Sequence, residues 1–199
     1  MATSLYKIAE QCKSLIGKGN YQEYITAVSQ AFATVVKQEF FNGKQDGISE
    51  INGAFIFSFS GVAVSLDATR NKYYATLPAS YINLPHDYGV VSISTIEGEE
   101  SPFVKIAAGQ MGLFVGIDAE GFQGQQPYYI EGDPNQGARI WLPKLKASDD
   151  VDELLVKLSL SLDGVDVDTS LALSPELQQQ VVMMVVNQYA PQPAQETRN

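Results

Sequence analysis

Between Leu5 and Ile16 the apolar residues fall at Leu5, Ile8, Ala9, Cys12, Leu15 and Ile16, the three- and four-residue spacing of one helix face. Ser4 stands ahead of the run and Gly17 behind it, which predicts a short helix with a cap at each end. A second and longer stripe follows at Tyr21, Tyr24, Ile25, Val28, Ala31, Phe32, Val35, Val36 and Phe40. Asn20 with Glu23 three residues on makes a variant of the capping box at its start, and Asn42-Gly43 predicts its stop. The stripe is continuous, so it must be covered by the rest of the chain or by a neighbouring subunit.

From residue 47 the period becomes two. The run Ala54–Ser60 alternates phenylalanine on one face, and Lys72–Leu77 answers it after a polar turn at Asp67–Asn71. Val90–Ile96 and Phe103–Ile106 read as a hairpin around the acidic loop Glu97–Glu100. Tyr128–Ile130 and Arg139–Leu142 read as another around Glu131–Gly137. Leu154, Val156, Leu158, Leu160 and Leu162 alternate with more polar positions, the pattern of a strand with one buried face. Residues 107–126 carry five glycines and no clear period, with at most a helical turn at Met111–Phe114. Ser174-Pro175-Glu176 then opens a last helix with a cap, a proline at the first helical position and an acid in the first turn. Its apolar residues, Leu177, Val181, Val182, Met183, Met184, Val185 and Val186, go most of the way round, as in a helix held between other elements.

The expected fold is α+β: an N-terminal helical hairpin, a central mostly antiparallel sheet or sandwich, and a C-terminal helix. Residues 1–190 are expected to form one domain, helical over 1–42, β-rich over 47–163 and helical again over 174–189, with 191–199 a polar, proline-bearing, disordered tail. An apolar fraction of 45% with 18% charged residues is that of an ordinary globular chain. No apolar run reaches the ~20 residues of a membrane span. The N-terminal residues lack the basic start and apolar core of a secretory signal, which favours synthesis in the cytoplasm.

Charge narrows the range of partners. The net charge is −10. Lys7, Lys13, Lys18, Lys37 and Lys44 balance Glu10, Glu23, Glu39, Asp46 and Glu50 over residues 1–50, so the excess falls beyond that point. A surface of this sign repels phosphate backbones and argues against sequence-specific nucleic-acid binding. Cys12 is the single cysteine, which excludes a disulfide framework or thiolate cluster within one chain.

Catalytic chemistry finds little to work with. His86 is the only histidine and lies in a proline- and aspartate-bearing turn, where Asp87 beside it cannot easily orient it as a general base. Asp163, Asp166 and Asp168 lack the oxygen spacing of a calcium loop, and Asp149, Asp150, Asp152 and Glu153 read as a charged surface turn. Gly109–Gly116 and Gly121–Gly124 lack the Gly-Lys-Ser/Thr ending of a phosphate loop. Cys12 sits on an apolar stripe and reads as buried. The pairs Tyr73-Tyr74 and Tyr128-Tyr129 suit a carbohydrate or base platform, but in period-two segments one of each pair should face the core. No catalytic residue, metal ligand or cofactor site is assigned.

Several segments resemble a family of virion proteins from tailed bacteriophages, the crAss-like phages and related podoviruses. They are Gln30–Lys37, Asp46–Gly53, Tyr73–Val90, Tyr129–Gly132 with Arg139–Pro143, and Leu173–Glu176. The most distinctive is Leu77-Pro78-Ala79-Ser80-Tyr81-Ile82-Asn83-Leu84-Pro85-His86. The resemblance implies a structural protein of the neck, a connector or adaptor ring of about twelve copies beneath the portal, with DNA passing through the ring. It implies the portal and other neck or tail proteins as partners, a place in the virion, no membrane and no catalytic residues. Val182, Met183, Val186, Tyr189, Pro191 and Pro193 are the expected assembly contacts. The alternative is a tail-associated carbohydrate- or receptor-binding module using exposed tyrosines. A hydrolase whose paired acids converge from distant segments is a third and weaker reading.

Overall fold

Ser4 begins the first helix as the spacing requires: its hydroxyl accepts the Lys7 amide, and α1 (Leu5–Ile16) ends at Gly17 in the left-handed conformation. In the computed structural model, residues 3–45, 51–85, 88–99, 102–107, 109, 126–133, 137–163 and 165–189 are described. Asn20 caps α2 (Tyr21–Gln45) through Oδ1 to the Gln22 amide at 2.9 Å, while the Glu23 carboxylate reaches back to the Asn20 amide. This helix runs past Asn42-Gly43, the stop expected from the sequence. A single glycine inside a helix costs only ~1 kcal/mol, and Phe40 one turn earlier is buried and holds the helix down.

The chain divides into two compact units, one built from residues 1–55 and 161–199 and the other from residues 56–160. The first is helical. Leu5, Ile8, Ala9 and Cys12 of α1 are buried, as are Tyr24, Val28, Phe32, Val35 and Val36 of α2. A 3₁₀ turn at Gly53–Phe55 sends Phe55 edge-on against Phe32, ring centroids 5.7 Å apart. Phe55 therefore leaves the strand face expected for it, while Phe57 and Phe59 remain half-buried on the strand. A two-stranded ladder, β1 (Thr3–Ser4) with β9 (Ser170–Leu171), joins the two segments of the unit ahead of α3 (Pro175–Tyr189). Ser174 caps α3 as read from the sequence, its hydroxyl accepting the Leu177 amide at 3.2 Å.

The second unit is a seven-stranded, mostly antiparallel sheet in the order β4-β8-β2-β3-β7-β6-β5. The strands are β2 (Ile56–Asp67), β3 (Lys72–Thr76), β4 (Val90–Thr95), β5 (Val104–Lys105), β6 (Pro127–Asp133), β7 (Gly137–Leu142) and β8 (Glu153–Ser159). The long strand β2 pairs first with β8 and then with β3, and its register shifts between Phe59 and Val62. Gly61 sits in that bulge at φ +74°, a conformation that other residues adopt only at a cost. Asp67 closes the β2–β3 turn by accepting the Thr69 and Arg70 amides, and the β6–β7 hairpin forms as expected.

The hairpin expected from Val90–Ile96 and Phe103–Ile106 does not form. β4 pairs with β8 instead, placing Val90 against Leu158 and Ile93 against Val156, four buried side chains that a partner as short as β5 could not match. β5 runs parallel to β6 at the opposite edge. One bond survives from the expected pairing: the Phe103 amide donates to the Ile93 carbonyl at 2.7 Å. It links the two edges, so the sheet curls on itself around Ala75, Val90, Ile93, Tyr128, Ile140, Leu142 and Leu154. The result is α+β, as the periodicity predicted.

Candidate functional site

The tyrosine pairs divide as period two demands. Tyr128 lies in the sheet's interior, with Tyr73 packed against the same cluster, and Tyr74 and Tyr129 go to the other face. There, Trp141 of β7 is the register partner of both Tyr74 on β3 and Tyr129 on β6, so three aromatic rings lie in a row across three strands. Centroids are 5.4 Å apart for Tyr74 and Trp141, and 6.4 Å for the nearly parallel rings of Tyr129 and Trp141.

Two arginines close this row. Arg70, from the β2–β3 turn, sets its guanidinium 4.6 Å from the Trp141 ring centroid and pairs with Glu131 at 2.6 Å. Arg139, two residues before Trp141 and so on the same strand face, lies 4.4 Å from the Tyr74 centroid and 3.9 Å from the Asp67 carboxylate. The bonds to Glu131 hold Arg70 above its ordinary range, and the Arg70 and Thr69 amides with both arginines hold Asp67 below its own. Burial, then the Glu131 charge, pushes the Tyr129 phenol up against the opposing pull of Arg70. Trp141 is left 2% exposed. Two cations meet two carboxylates over an aromatic row in which Tyr129 and Trp141 are buried and Tyr74 is half-buried, which stabilises the sheet. The tyrosine pairs were visible in the sequence. Trp141, Arg70 and Arg139 were missed, although the alternation Arg139-Ile140-Trp141 already placed arginine and tryptophan side by side.

The acidic segments serve their own turns. Asp166 accepts the Asp168 amide through Oδ1 at 3.0 Å, Asp163 bonds Ser161, and Asp149 accepts the Lys146 amide at 2.8 Å. Among the described residues no three His, Cys, Asp or Glu side chains are placed to hold a metal ion, and no helix is long and apolar enough to cross a membrane. Cys12 is buried, and that burial pushes its thiol up to about 11. His86, Asp87 and nearly all of the glycine-rich stretch, with Met111–Phe114, lie outside the described residues.

The expected assembly contacts fall into three groups. Met183 and Tyr189 are exposed on α3, at 47% and 40%, with Tyr189 also resting 5.4 Å from the Tyr24 ring. Val186 is half-buried and Val182 is buried, so Val182 offers no surface in the single chain. Pro191 and Pro193 lie outside the described residues. α3 is therefore not enclosed all round: Val181, Val182 and Val185 bury one side, and Gln179, Gln180, Met183 and Asn187 face outward.

The segment most characteristic of the phage family resemblance is architectural. Tyr81 bridges to Leu160, the Ile82 amide donates to the Ser159 carbonyl at 2.8 Å, and Ile82 and Leu84 are buried. Gly89 lies so close to this strap that a β-carbon there would fall 2.0 Å from the Ile82 carbonyl oxygen. Compared with known proteins, the chain matches no family model and no curated sequence.

Proposed function

We propose that this chain is a non-catalytic structural subunit of a tailed-bacteriophage particle, one copy of a ring at the head–tail junction beneath the portal. The observation that carries the reading is the use made of its most distinctive segment. Leu77–Pro85, the stretch that most resembles the phage neck proteins, straps the end of β8 through the Tyr81–Leu160 bridge and the Ile82 amide, and its Ile82 and Leu84 side chains are buried. Residues spent on packing in this way support a role in which shape and contact surface, rather than bond-making, are the product. The acidic excess agrees with a wall that DNA passes without adhering. Exposed apolar positions on the helical unit, Leu15, Phe41 and Met183 among them, offer surface for neighbours.

The competing role, a carbohydrate- or receptor-binding module, would rely on open aromatic rings. Of the aromatic row, Tyr129 and Trp141 are buried, and Arg139 lies over Tyr74. Native mass spectrometry of the purified chain separates the two: a closed ring of copies supports the neck role. A monomer that binds a glycan array would support the module instead.

A further inference from the structure

We draw no further inference here: the strongest candidate, the uncharged groove between α1 and α3 rimmed by exposed Leu15 and Met183, carries nothing because nothing in the structure shows what covers it.

Discussion

Gly89 and Trp141 are the residues on which the β unit is least forgiving, for opposite reasons. At Gly89 there is no room: a methyl group would meet the Ile82 carbonyl at 2.0 Å and the Tyr81 ring at 2.6 Å, so the strap over β8 must move. Gly89→Ala should cost at least about 2 kcal/mol of stability by urea denaturation, toward the upper range for overpacking. Trp141 fills the space between two tyrosines and two arginines, and Trp141→Ala should cost about 3–5 kcal/mol. Glu131→Gln breaks an ion pair whose side chains are nearly half exposed and should cost less than about 1 kcal/mol. A loss of several kcal/mol there would mean that the arginine pair, not the aromatic row, holds this face together. Cys12 carries a pH signature. Its thiol rises from an ordinary 9.0 to about 11 on folding, so its contribution is complete below pH 9 and fades as pH climbs toward 11. Native protein at pH 8 should react with a thiol reagent far more slowly than unfolded protein, and a fast native reaction would place Cys12 at the surface.

At the scale of elements, capping and periodicity made the helices legible. Ser4, Asn20 and Ser174 each accept an amide in the turn they open, and each stood just ahead of a helical stripe in the sequence. Ser174→Ala should lower stability by about 1 kcal/mol without changing the sheet, which thermal unfolding followed at a helix-sensitive wavelength would register. The strands were legible one at a time, but their partners were not. Val90–Thr95 alternates well enough to be a strand, yet nothing in its own residues says that it prefers β8 to the nearer Phe103–Ile106. That choice is made by burial of Leu154, Val156 and Leu158, some sixty residues away. The exposure of α3 was hidden for a related reason. Val182, Met183 and Val186 look alike in a sequence, and only the placement of α1 and α2 determines which of them is covered. The aromatic row needed register as well as alternation, since Tyr74, Tyr129 and Trp141 meet only when three strands are aligned.

The whole molecule is a helical unit interrupted by a β unit that begins and ends at one place. Ile56, the first residue of the insertion, is the register partner of Ser159 near its end, so their α-carbons lie about 5 Å apart. Replacing residues 57–159 with a short glycine–serine linker should therefore leave the helical unit folded, with strong helical circular dichroism and a cooperative melt. Loss of both would mean that the two units fold only together. The proposed role concerns copies rather than one chain: it requires that exposed apolar positions on the helical unit, such as Leu15, Phe41 and Met183, be covered by sister molecules. Native mass spectrometry across a wide concentration range tests it most directly. The account predicts one closed species, a ring or a pair of rings, whose copy number stays fixed as concentration rises; a monomer persisting at the highest concentration would contradict it.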